Sequence, residues 1–184
     1  MTSAPLDQLS AAQRAHFLAK CARRVLSRKG TLHVAGDVVP GVWLVERGLV
    51  GAFEYQGDKP IYQRFYREGE FVSDVASLRS GEPSLLTFVA LEDGEVYYIR
   101  KADLLGLYEE DPAFQAFGRE VLTELLVDRA GQMRRLMVMS PRERYASVLA
   151  EDPELVQRVP LQYLASYLGM TRETLSRVRG QVRG

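Results

Sequence analysis

Arg172, Glu173 and Arg177 stand within one charged stretch, TRETLSRVRGQVRG, over residues 171–184. A guanidinium fork can donate to O6 and N7 of guanine, and a carboxylate can accept from N4 of cytosine. An exposed Arg, Glu, Arg set near a helix N-terminus therefore suits readout of base edges in a major groove. Around these three, Thr171, Ser176, Gln162, Arg179 and Arg183 carry donors suited to phosphate oxygens, which position a protein on a duplex rather than specify sequence. Residues 171–184 hold four arginines against one glutamate, a local balance of +3, whereas the 24 basic and 24 acidic residues of the whole chain give a formal net charge of +0. Attraction to phosphate must then come from local clustering and not from a global field.

Other chemistries lack their residues. Cys21 is the single cysteine, so neither an internal disulfide nor a thiolate set for zinc or an iron–sulfur cluster is available. His16 and His33 are the only histidines and stand apart, which argues against a metal-dependent roll-shaped enzyme. No catalytic residue, metal site or cofactor is expected. The first residues, MTSAPLDQLSAAQRAHF, contain no apolar run flanked by basic residues, and no apolar stretch approaches twenty residues. A cytoplasmic protein without membrane association is expected.

The reading residues need a helix to present them. Leu161 to Val178 read LQYLASYLGMTRETLSRV. Leu164 and Ala165 end a short apolar-periodic helix, Gly169 supplies a permissive turn, and Thr171 is a ready N-cap for the next helix. At about 100° per residue, Leu175, Val178 and Val182 fall on one side of that helix and Arg172, Ser176, Arg179, Gly180 and Arg183 on the other. This is a helix-turn-helix with one packing face and one free face.

Upstream, Ser10 and Gln13 form an S-x-x-Q capping box for a first helix that ends before Gly30. From Gly30 to Arg100 the runs TLHV, GVWLVERGLVGAFEY, IYQRFY, LLTFVAL and EVYYIR alternate with turn residues and predict an antiparallel β unit. Residues 56–60 and Glu92, Asp93 and Gly94 read as hairpin loops within it. Asp111 as N-cap and Pro112 in the first turn begin a helix of nearly thirty residues. Its Phe114, Phe117, Val121, Leu122, Leu125, Leu126, Met133, Leu136, Met137 and Met139 offer more apolar surface than one face of a small roll can cover, which implies a partner helix from a second copy. Ser140, Pro141 and Glu143 cap a further helix at a hinge, and Asp152, Pro153 and Glu154 break it. The expected fold class is α+β: an antiparallel β-roll over residues 1–110, a dimerisation helix over 111–139, and a helix-turn-helix domain over 140–184 with its wing reduced or absent.

The glycine-punctuated roll, the long helix after a D-P pair, the S-P-R-E-R segment and the L-A-S-Y-L-G-M-T-R-E-T-L-S-R run together resemble the family of the cyclic AMP receptor protein and the fumarate-nitrate regulator (CRP/FNR). The resemblance implies a homodimeric transcription regulator on double-stranded DNA, with palindromic sites of TGTGA-like arms and RNA polymerase as a further partner. It also implies that Arg172, Glu173 and Arg177 read bases. The cyclic-nucleotide cassette of the family, similar to G-E-L…R-S-A, corresponds here to SDVASLRSGEPSLLTFVA. Asp74 stands in place of the glutamate and Ser84 in place of the arginine, followed by Leu85. Such a degenerate effector pocket lacks the phosphate clamp and argues against cyclic AMP. An alternative stays open at this point: a ligand-sensing or scaffold module of the same fold whose helical domain contacts protein and not DNA.

Overall fold

The computed structural model describes the backbone of residues 5–183 and the side chains of residues 6–182. Its contacts divide the chain into two compact units, residues 1–52 with 65–124 and residues 53–64 with 125–184.

In the first unit a 3-10 turn (Pro5–Gln8) leads into helix α1 (Ala11–Ala19), where Ser10 and Gln13 close the expected capping box: Gln13 N donates to Ser10 Oγ at 3.3 Å and Ser10 N to Gln13 Oε1 at 3.0 Å. Among the described residues the strands are β1 (Ala22–Leu26), β2 (Thr31–His33), β3 (Gly41–Arg47), β4 (Val50–Gln56), β5 (Lys59–Tyr66), β6 (Phe71–Val72), β7 (Thr87–Ala90) and β8 (Gly94–Arg100), with residues 53–64 of the β4–β5 hairpin counted in the second unit. They form two four-stranded sheets, in the orders β1-β8-β3-β6 and β2-β7-β4-β5. Inward residues from both sheets, among them Trp43, Val45, Val50, Ala52, Tyr66, Phe88 and Val96, make one core. Burial of these large apolar side chains is the dominant stabilising term of the roll. This is the mixed α+β, jelly-roll-like architecture that the strand spacing implied.

Two expectations for the roll require correction. Strand β1 precedes Gly30, where a helix tail was expected. Its sequence ARRVL shows no apolar alternation because it is an edge strand with little burial, held by antiparallel pairing from Ala22–Tyr98 to Leu26–Gly94. Glu92, Asp93 and Gly94 do not close a hairpin, because β7 and β8 belong to different sheets. The D-G pair instead turns the chain from one sheet to the other, and Gly94 is required by a close approach: a Cβ there would lie 2.1 Å from Arg47 O. The hairpin at residues 56–60 is present, with Gly57 at φ 61° in a two-residue loop between β4 and β5.

Helix α2 (Val75–Ser80) is capped by Asp74, and α3 (Lys101–Glu110) precedes the long helix α4 (Pro112–Val138). Asp111 caps α4 as expected, accepting from Ala113 N at 2.8 Å through Oδ1 while Oδ2 accepts from Gln13 Nε2 at 2.8 Å. These two bonds hold the Asp111 carboxyl below its usual range, the backbone bond first. A second core joins Leu9, Phe17, Ile99, Leu107, Phe114 and Phe117.

The second unit contains the remainder of α4, then α5 (Pro141–Glu151), α6 (Pro153–Arg158), α7 (Leu161–Tyr167) and α8 (Arg172–Arg183). The Asp152–Pro153 break does end α5, but it also starts α6, since Asp152 Oδ1 accepts from Leu155 N at 2.9 Å with proline at the first position.

Candidate nucleic-acid interface

Helix α7 ends in a Schellman motif. Met170 N donates to Ala165 O at 3.0 Å and Gly169 N to Ser166 O at 3.0 Å, with Gly169 at φ 63°. The helix therefore extends two residues past Ala165 before the glycine turns it. Helix α8 starts where Thr171 Oγ1 accepts from Thr174 N at 3.2 Å, the N-cap bond that its sequence position called for. Leu164, Ala165, Leu168, Leu175 and Val178 are all buried, so α7 and α8 lock together through their apolar faces.

What that locking leaves outward is the charged face. Arg172, Glu173, Ser176 and Arg177 are exposed, as are Thr171 and Gln162. Arg179 is half-buried, and the side chain of Arg183 lies outside the described residues. The Glu173 carboxyl is held below its ordinary range, first by its own backbone N–H at the helix N-terminus and then by the Thr171 hydroxyl, and it stays an ionised acceptor at neutral pH. Arg172, Glu173 and Arg177 thus share one exposed first turn and a half of α8, a fixed set of donors and one acceptor on a rigid element.

Two supports of this element were not legible in the sequence. The hairpin at 53–64 belongs to the same compact unit: the Tyr62 ring stacks on Tyr163 with centroids 4.4 Å apart, and Tyr62 N donates to Ser166 Oγ at 3.1 Å. Burial raises the Tyr62 hydroxyl above its usual range, so it remains protonated. Gln132 Nε2 donates to Gln63 O at 2.8 Å, tying α4 to the same hairpin. The second support is Arg144, whose guanidinium reaches carbonyls at the ends of α4 and α7. No local pattern marks the hairpin contacts or the reach of Arg144 to α7, because each joins residues far apart in the chain.

In the roll, Asp74 and Ser84 come together and Leu85 does not join them. Ser84 Oγ donates to Asp74 Oδ2 at 2.7 Å and accepts from Leu86 N at 3.0 Å, while Asp74 Oδ1 accepts from Ala76 N and Ser77 N at 3.0 and 3.4 Å. Ser84 is 1% exposed and Leu85 74% exposed. Both polar groups at the degenerate cassette are thereby occupied by the protein itself. Among the described residues no group of three or more His, Cys, Asp or Glu could hold a metal ion, and no helix is long and apolar enough to cross a membrane.

Residues 23–111, the roll with its first trailing helix, match the cyclic nucleotide-binding domain family. The chain's fold is similar to that of a CRP/FNR-family transcriptional regulator of Eubacterium rectale. The transcriptional regulatory protein btr of Bordetella pertussis is 26% identical over 165 residues, covering 83% of this chain and 67% of that protein. The Thermus thermophilus catabolite activator protein shares the fold at a TM-score of 0.63 and 23% identity, over 98% of this chain and 87% of that one. The c-di-GMP-responsive global regulator CLP of Xanthomonas campestris does so at a TM-score of 0.78 and 21% identity, over 95% and 92%. The proteins that this chain resembles thus include a transcriptional regulatory protein and a global regulator.

Proposed function

We propose that this chain is a sequence-specific transcription regulator that binds double-stranded DNA as a homodimer, reading TGTGA-like arms of a palindrome through Arg172, Glu173 and Arg177. The observation that carries the proposal is the exposed, charged face of α8 on a helix pair whose opposite face is buried. Thr171, Ser176, Gln162, Arg179 and Arg183 contact the phosphate backbone. The dimer forms along α4, where Leu122, Leu126, Met133 and Met137 are exposed on one side of the helix. RNA polymerase is its partner on DNA, and it works in the cytoplasm.

The test is selection from random-sequence duplexes with no nucleotide added, read by sequencing. Enrichment of a palindrome with TGTGA-like arms is the expected result. Binding that resists rising ionic strength would favour a protein-contacting helical domain, because phosphate neutralisation makes DNA affinity fall steeply with salt.

Cyclic AMP is not the effector in this proposal. A buried cyclic phosphate without a guanidinium fork would carry a penalty of at least several kcal/mol, and Asp74 and Ser84 satisfy each other and the backbone instead. Millimolar cyclic AMP is expected to leave the melting temperature within about 1 °C, because a ligand stabilises only in proportion to its binding. DNA affinity is expected to be unaltered as well. Micromolar binding in a calorimeter would overturn this assignment.

A further inference from the structure

Arg144 is placed by its own helix start. Ser140 N donates to Glu143 Oε2 at 2.7 Å and Glu143 N to Ser140 Oγ at 3.4 Å, a capping box that fixes the first turn of α5. Helical side chains lean toward the N-terminus, so Arg144 reaches back over the hinge between α4 and α5. There its Nε donates to Met139 O at 2.9 Å and its Nη2 to Leu136 O at 2.8 Å, at the C-terminal end of α4. Its Nη1 donates to Leu168 O at 3.1 Å and Gly169 O at 3.4 Å, at the C-terminal end of α7. The last carbonyls of a helix have no partner within it and form the negative end of its dipole. One cation thus serves two such ends, and only a planar fork of donors can span both.

Arg135 also bridges these elements, through Glu151 at 2.6 Å and the Tyr167 hydroxyl at 3.4 Å. Those partners are side chains that can swivel. Carbonyls move only with their helices, so the Arg144 contacts constrain the helices themselves. Gly169 keeps the space for this contact: a Cβ there would lie 3.1 Å from Arg144 Nη1 and 3.0 Å from Leu136 Cδ2.

We propose that Arg144 is the positioning residue that sets the angle at which the helix-turn-helix leaves the long helix, and thereby the half-site separation the dimer accepts. The second clause rests on the DNA-binding reading above; the first does not. If the two recognition helices hang from α4 through this clamp, loosening it costs little on one half-site and much on a pair at fixed separation.

The test uses the full chain, R144A and R144K on palindromes whose half-sites are moved apart or together one base pair at a time, beside a single half-site. For both variants the preference for the best separation is expected to fall about tenfold, the equivalent of one charge-assisted hydrogen bond per complex. Single half-site affinity should stay within about twofold. R144K retains the charge but not the fork, so it carries the test if R144A does not fold. A DNA-free readout accompanies it: spin labels at Ala130→Cys and Gln181→Cys, in a Cys21→Ala background with labelled chains diluted into unlabelled ones. The distance distribution is expected to be narrow with Arg144 and broadened in both variants. If the parent chain binds no duplex, the DNA reading fails while the distances still judge the clamp. Unchanged separation preference and unbroadened distances in R144K would overturn the proposal.

Discussion

Arg177→Ala is expected to lower affinity for the selected palindrome about 5- to 150-fold, equivalent to roughly 1 to 3 kcal/mol, and to relax the preference at one G·C pair in each arm. Affinity for random duplex should change far less. The reason is geometric. Leu175 and Val178, 0% and 4% exposed, pin α8 on either side of Arg177, whose own side chain is exposed and free to fork onto a guanine edge. Removing a group that meets only the correct base removes discrimination, whereas removing a phosphate contact weakens every sequence alike. Arg183→Ala is the counterpart: it should reduce specific and random binding together and lower the salt slope by about 1. Competition titrations of both variants at several salt concentrations separate the two roles. Equal losses on specific and random DNA for both variants would defeat the assignment of bases to Arg177 and phosphate to Arg183.

The helix-turn-helix was legible because every signal in it is local. A small residue, a glycine, a capping threonine and a period of apolar residues all act within a few positions, and the structure has Gly169 at φ 63°, Thr171 at the cap and Leu175 fully buried. The capping boxes at Ser10 and Ser140 and the start of α4 at Asp111 were readable on the same ground. Strand β1 was not, since an edge strand is held by backbone pairing and need not show an apolar alternation. Glu92, Asp93 and Gly94 misled for a related reason: a D-G pair signals a tight turn but not which strands it joins, and here they belong to different sheets.

The site divides in the same way. The types at Arg172, Glu173 and Arg177 were open to reading in one segment, and so was the lack of an arginine at Ser84. The Ser84–Asp74 bond and the Tyr62–Tyr163 stack depend on chain separations of 10 and 101 residues, and only folding brings those partners together. Arg144 stands between the two cases: its helix start was predictable, but its acceptors at Leu168 and Gly169 lie more than 20 residues away.

Leu126→Glu is expected to convert the protein to a monomer and to bring its affinity for a palindrome down to that for a single half-site. On α4, Leu122, Leu126, Met133, Leu136 and Met137 fall within an arc of about 100°, and Leu126 and Met137 are 70% and 77% exposed. A soluble chain seldom leaves so long an apolar stripe in water, and a two-fold pairing of α4 with its copy would cover it. Each large side chain so covered contributes about 1.5 to 3 kcal/mol. On a two-fold axis a substitution enters twice, so Leu126→Glu would set two carboxylates against each other in an apolar seam, at a cost of several kcal/mol. A loss of about 3 kcal/mol raises the dimer dissociation constant roughly 100-fold. DNA binding follows, because two linked half-sites gain about 10² to 10⁴ in avidity over one. Sedimentation measures the first effect, palindrome against half-site titration the second, and far-UV circular dichroism checks that the helices persist. A Leu126→Glu chain that sediments as a dimer and binds the palindrome as tightly as the parent would place the dimer contact elsewhere than on α4.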